Sequence, residues 1–230
     1  MKRFDPRIII FDVDGVLIDP RQSFHRSALD TVRHYTGRRF TSADLHKWKS
    51  RPGYNDDWRL TTDWLASLGT PVPYDEVKIQ FMKFYWGNGN GRRGNVTRER
   101  WLASRALLRK LARRYELAVF TGRVRSELEH SFERFRAAPY FRRVITWSDV
   151  ERSKPYPDGL LKILAGRDPQ SALYLGDSVD DAAAARAAKV PFIGVLQDYV
   201  PHRRQFAAQL KQQGALRVLH SISEVERCLA

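Results

Sequence analysis

Cysteine is nearly absent from this chain: Cys228 is the one thiol among 230 residues, which excludes an internal disulfide and leaves no partner for a thiolate metal cluster. The six histidines (His25, His34, His46, His130, His202 and His220) never fall at an H-x-x-x-H spacing, so a histidine-ligated zinc site is not expected. Long apolar runs are missing too. The run Ile8 to Phe11 is cut by Asp12 and Asp14, far short of the ~20 residues of a membrane span and too brief for a signal peptide. No membrane partner and a cytoplasmic location are therefore expected. Acidic residues are outnumbered, 26 against 40 Lys and Arg, giving a formal charge of +14 that favours an anionic partner. The arginines are spread over helix surfaces (Arg98, Arg105, Arg109, Arg134 and Arg142 among them) and form no binding module, so dedicated nucleic-acid binding is not expected. With 43% hydrophobic and 29% charged residues, the composition excludes a disordered chain.

What is present is an alternation of short apolar runs with segments of helical period. Strands are expected at Arg7 to Phe11, Glu116 to Phe120, Arg143 to Thr146, Ala172 to Leu175, Phe192 to Val195 and Leu216 to Leu219. Helices are expected at about 98–113, 125–136, 157–165, 179–188 and 202–213, with a last one from Ile222 whose Ser221 and Glu224 have the spacing of a capping box. This order predicts an α/β fold, a Rossmann-like core with a parallel sheet. Residues 18–94 break the pattern: four helical segments, SFHRSALDTVRHY, SADLHKWKS, DDWRLTTDWLASL and YDEVKIQFMKFYW, follow one another without a convincing strand. They read as an inserted helical cap domain, leaving 1–17 and 95–230 as the catalytic core. The glycine- and asparagine-rich stretch 87–95 reads as a flexible return. Parallel sheets bind ligands beyond the C-terminal ends of their strands, so an insert leaving from the first strand would be placed to close over that position.

Four polar loops follow predicted strands, and a parallel sheet gathers such ends together. In IIIFDVDGVL, Asp12 ends the first strand and Asp14 stands on the departing loop; two buried acids without a purpose would be costly, and their carboxylate and carbonyl oxygens suit magnesium. In LYLGDSVDD, Asp177 ends a strand and Asp180 and Asp181 open a helix, where the helix dipole also favours acids. Lys154 in SKPYPDG would offset this negative charge toward a phosphate. In AVFTGR, Thr121 offers a hydroxyl donor, Gly122 a close backbone N–H and Arg123 a further cation.

The set of Asp12 and Asp14 in FDVDGVL, Thr121 in FTGR, Lys154 in SKPYPD, and Asp177 with Asp181 in GDSVDD resembles the four ordered motifs of haloacid dehalogenase-like hydrolases. The insert resembles the helical cap of that superfamily's first subclass. The resemblance implies a Mg2+-dependent phosphatase in which Asp12 is the nucleophile and forms an aspartyl-phosphate, and Asp14 is the acid and then the base. Thr121 and Lys154 would hold the phosphoryl oxygens. Magnesium would be bound by Asp12, the Asp14 carbonyl and Asp177, with Asp181 supporting; Asp180 stands where relatives often carry asparagine, and its part is left open.

Within the insert, Arg51, Tyr54 and Asn55 in RPGYNDDWRLT crowd charge and hydrogen-bonding groups into one loop, expected to contact the leaving group. Packing and helix capping by Asp56 or Asp57 is the plainer reading of the same loop. The expected partner is a small phosphorylated metabolite. An aromatic insert surface would suit a dimer, and the sequence does not choose between monomer and homodimer. Two alternatives stand beside hydrolysis: a sugar-phosphate mutase on the same scaffold, and a non-catalytic protein that binds a phosphorylated ligand or nucleic acid.

Overall fold

The computed structural model describes residues 4–87 and 93–230. The strands are β1 (Ile8–Phe11), β2 (Ile18–Asp19), β3 (Arg100–Trp101), β4 (Glu116–Phe120), β5 (Arg143–Ile145), β6 (Ala172–Gly176), β7 (Phe192–Val195) and β8 (Arg217–Leu219). The α-helices among the described residues are α1 (Phe24–Thr36), α2 (Ser42–Lys49), α3 (Asp57–Ser67), α4 (Tyr74–Trp86), α5 (Arg105–Ala112), α6 (Arg125–Phe135), α7 (Asp158–Leu164), α8 (Val179–Ala188) and α9 (Arg203–Gln212). By its contacts the chain divides into two compact units, Met1–Ile18 with Trp101–Ala230, and Asp19–Arg100.

The first unit is an α/β domain built on a parallel sheet in the order β5-β4-β1-β6-β7-β8. Strand alternation sorts its side chains onto two faces. Ile9 and Phe11 join Val119, Leu175 and Val195 in one buried layer with Leu108 of α5 and Phe132 of α6. Ile8 and Ile10 join Phe120, Tyr174 and Phe192 in the other, with Leu160 of α7 and the alanines of α8. Both faces are covered, which is why these strands read as continuous apolar runs.

The second unit holds α1 to α4. Its apolar faces meet around Phe24, Leu60, Trp64, Phe81 and Tyr85, with the Phe24 and Tyr85 rings 4.5 Å apart. The Tyr85 hydroxyl donates to Glu99 at 3.2 Å, giving a buried carboxylate a partner. Asp56 caps α3, accepting from the backbone of Trp58 and Arg59. Of the glycine-rich return, residues 88–92 lie outside the described residues.

Two helix expectations need correction. The helix expected at 98–113 begins only at Arg105: Ser104 accepts from the Leu107 N–H and caps it there, while the residues before it form a 3-10 turn (Asn95–Arg98) and β3. The last helix is a 3-10 helix, Ile222–Cys228. Ser221 accepts from Ser223, two residues on, and Glu224 accepts from the His220 N–H, so the reciprocal capping box does not form.

Gly159, in the first turn of α7, lets that helix lie against the sheet. A Cβ there would stand 2.1 Å from Cε2 of Phe120, whose ring is fully buried. Gly159→Ala is expected to lower stability by about 1–3 kcal/mol through overpacking. A urea melt checks this, and an unchanged midpoint would contradict the packing described.

Candidate active site

The register of the sheet assembles the site. Phe11 pairs with Val119 and with Leu175, so Asp12, one residue past β1, stands level with the last residues of β4 and β6. Thr121 and Asp177 come one step later. Alternation places Asp12 on the same side of the sheet as Ile10, toward Phe120 and Tyr174. The Asp12 N–H donates to the Leu175 carbonyl at 2.8 Å, which fixes its backbone to the neighbouring strand end.

Lys154 lies between two carboxylates. Its Nζ is 2.6 Å from Asp12 Oδ1 and 2.7 Å from Asp181 Oδ1, with the side chain fully buried over the Phe120 and Tyr174 rings at 5.1 and 5.6 Å. Burial disfavours its charge, but Asp12 and Asp181 outweigh that and lift its pKa above the usual lysine range. The two acids are treated differently. Burial pushes Asp181 up, yet Lys154, the Tyr174 hydroxyl at 2.6 Å and the Ser178 hydroxyl at 2.7 Å hold it below the usual carboxylate range. Asp12 has Lys154 alone as a side-chain donor among the described residues, and burial, helped by Asp181 and Asp14, pushes it up to about 7.

Carboxylate oxygens of Asp12, Asp177 and Asp181 lie within 4.8 Å of one another. Such a set of hard oxygen donors suits a magnesium ion. The fit has a second sign in Gly15, whose φ of +77° few side chains adopt and whose Cβ would stand 1.9 Å from Asp177 Oδ2. Only glycine leaves Asp177 room there. Asp180 is buried as well but is not one of the three, and the Asp14 carboxylate is not either.

Thr121 is fully buried; its N–H donates to Ile145 and its Oγ1 accepts from the Arg123 N–H at 3.1 Å. Gly122, half-buried, lies between them. Arg123 departs from expectation. Its guanidinium does not stand open to a phosphate: Nε and Nη2 donate to Asp14 Oδ2 and Oδ1, each at 2.8 Å, and Nη1 donates to Ser131 at 2.8 Å. A carboxylate and a hydroxyl within reach hold a buried cation better than an open pocket would.

Arg51 and Tyr54 in the loop of the helical unit are engaged inside that unit. Arg51 stacks on Trp48 at 4.5 Å, and the Tyr54 hydroxyl donates to Asp63 at 3.2 Å; Asn55 is half-buried. Sequence reasoning missed Tyr174, Ser178 and Gln197, whose Nε2 donates to the Gly15 carbonyl at 3.2 Å. A hydroxyl in the middle of an apolar strand was the signal for Tyr174, since a buried tyrosine needs a partner.

Residues 9–195 match the family described as haloacid dehalogenase-like hydrolase. The chain is 33% identical over 196 residues to an imidazoleglycerol-phosphate dehydratase of Phytophthora nicotianae, covering 82% of this chain but 43% of that relative. It is 24% identical to the pyrophosphatase PpaX of Anoxybacillus flavithermus, over 81% of this chain and 82% of the relative. A conserved haloacid dehalogenase-like protein of unknown function from Agrobacterium tumefaciens shares the fold, with a TM-score of 0.75 at 20% identity over 97% of this chain and 96% of that one.

The raised Asp12 pKa has a sign that can be checked. The folded chain keeps a proton that the unfolded chain releases near 3.8, so this contribution to stability is present below that pH and is lost as pH rises toward 7. Metal-free protein should therefore melt lower at pH 7.5 than at pH 5. Magnesium, which needs the ionised carboxylate, should raise Tm more at pH 7.5. Asp12→Asn should flatten the metal-free slope; a slope kept in that variant would contradict the assignment.

Proposed function

The chain belongs to the haloacid dehalogenase-like hydrolase family, and we propose that it hydrolyses a small-molecule phosphate monoester, with magnesium, through a phosphoryl group carried on Asp12. The observation that carries this reading is the Lys154 ammonium seated on Asp12 beside Asp177 and Asp181 at the strand ends.

In the first step an Asp12 oxygen attacks phosphorus and the bond to the leaving oxygen breaks, while Asp14 gives that oxygen a proton. In the second, Asp14 takes a proton from water, the water oxygen bonds to phosphorus, and Asp12 is released with inorganic phosphate. Lys154 and the Thr121 hydroxyl hold phosphoryl oxygens, with the Gly122 N–H beside them. Asp12, the Asp14 carbonyl and Asp177 are the groups that would hold magnesium, with Asp181 supporting; the ion would supply positive charge to the transferring group. Asp181 already accepts the Ser178 hydroxyl and the N–H groups of Asp177 and Ser178, which suits support rather than direct reaction.

Substrate choice is assigned to the helical unit, whose Arg51, Tyr54 and Asn55 are the candidates for recognising the leaving group. The names of the relatives suggest what to offer: pyrophosphate and imidazoleglycerol phosphate, beside phosphoglycolate, histidinol phosphate, a hexose phosphate and a nucleoside monophosphate. Because the chain spans 43% of the Phytophthora protein, that protein's dehydratase activity is not carried over.

Phosphate release from this panel, with magnesium or with EDTA, tests the proposal. One ester should be turned over with metal only, and Asp12→Asn should lower kcat at least 10³-fold. Free phosphate as product supports hydrolysis, whereas an isomerised sugar phosphate would replace it with intramolecular transfer. Turnover by Asp12→Asn at the parental rate would remove Asp12 as nucleophile.

A further inference from the structure

Resting on the reading just given, we propose that Arg123 is a positioning residue for the acid and base carboxylate of Asp14, and not a phosphate ligand. The geometry is a two-pronged clamp. Nε and Nη2 donate in parallel to the two oxygens of Asp14 at 2.8 Å each, the planar arrangement that arginine makes and lysine cannot.

The clamp is anchored from behind. Nη1 donates to the Ser131 hydroxyl on α6, and Ser131 in turn donates to the Glu127 carbonyl one turn earlier at 3.2 Å. The Arg123 backbone N–H is tied to Thr121 Oγ1, so the guanidinium is fixed from the loop and from the helix together. Exposure is lopsided across the pair: the Arg123 side chain is 1% exposed and the Asp14 carboxylate 30%. Arg123 is thus walled in while Asp14 keeps an open side. The fork uses one lone pair on each Asp14 oxygen and leaves the other for a proton exchanged with substrate or water.

Asp14 needs such a hold. It stands on the loop leaving β1, just before Gly15 with its positive φ, and it has no other side-chain partner among the described residues. A carboxylate free to swing there would lose the alignment that proton transfer to a leaving oxygen requires, and displacement by about 1 Å can cost ~10²-fold.

The experiment compares two esters on Arg123→Gln and Arg123→Lys. One is the alkyl ester turned over best by the parent, whose alkoxide leaves only with a proton; the other is 4-nitrophenyl phosphate, whose phenolate leaves without one. The inference expects kcat/KM for the alkyl ester, which ends at departure of the alcohol and so depends on Asp14 as acid alone, to fall ~10–100-fold in Arg123→Gln, with that for the aryl ester down less than about 3-fold; hydrolysis of the phosphoryl group on Asp12, where Asp14 is the base, should slow alike whichever ester supplied it. Arg123→Lys, a cation without the fork, should lie close to Arg123→Gln. The double variant Asp14→Asn with Arg123→Gln should be no slower on the alkyl ester than Asp14→Asn alone, because residues acting as a unit are not additive. A KM rise of ~10-fold on both esters would return Arg123 to phosphate binding and overturn the inference. Equal losses in kcat/KM on both esters, together with a lowered Tm, would reduce Arg123 to a structural role and overturn it as well. Failure of the parent chain to release phosphate from either ester would instead overturn the phosphatase reading, and the inference with it.

Discussion

A single buried ammonium, that of Lys154, makes the rest of the site possible. Two unit charges about 4 Å apart interact by ~4 kcal/mol at an effective dielectric of ~20, so carboxylates gathered within 4.8 Å repel one another strongly unless a cation stands among them. Lys154 supplies that charge at 2.6 and 2.7 Å, and its own burial over two aromatic rings is tolerable only because both acids are there. The dependence runs in both directions. Asp181, with its hydroxyl and backbone donors, keeps its charge, and the remaining strain falls on Asp12, the residue that must face an incoming phosphorus.

The fold delivers these groups with little machinery of its own. A parallel register brings the ends of β1, β4 and β6 level, so residues far apart in sequence arrive within hydrogen-bonding distance: Lys154 and Asp12 are separated by 142 positions. Two glycines set the close approaches. Gly15 makes room for Asp177, and Gly159 lets α7 pack on Phe120 just after the loop that carries Lys154. Arg123 adds a second ion pair on the β4 side, so each of the two acids of the first motif has its own cation.

Much of this was legible in the sequence because each feature was local. Apolar runs ending in Asp12, Thr121 and Asp177 announced strand ends, and their alternation with helical segments announced a parallel sheet. The capping hydroxyl of Ser178, the direction of the Arg123 side chain and the partner of Tyr174 were not legible, since each depends on a neighbour chosen by tertiary packing. Arg123 illustrates the difference: its position after Thr121 marked it as part of the site, but only the arrangement of Asp14 and Ser131 around it decides what the guanidinium holds. The helix expected from residue 98 failed for a related reason, as β2 and β3 pair and Ser104 starts the helix later.

Covalent capture of phosphate by Asp12 is the step on which the proposed reaction rests. Magnesium-loaded chain, acid-quenched during turnover of its best ester and reduced with borohydride, should yield on peptide mass spectrometry an Asp12 side chain converted to the alcohol, which only an acyl phosphate gives under these conditions. Reduction at a different carboxylate, or none at any carboxylate while phosphate is being released, would contradict the claim that Asp12 carries the phosphoryl group.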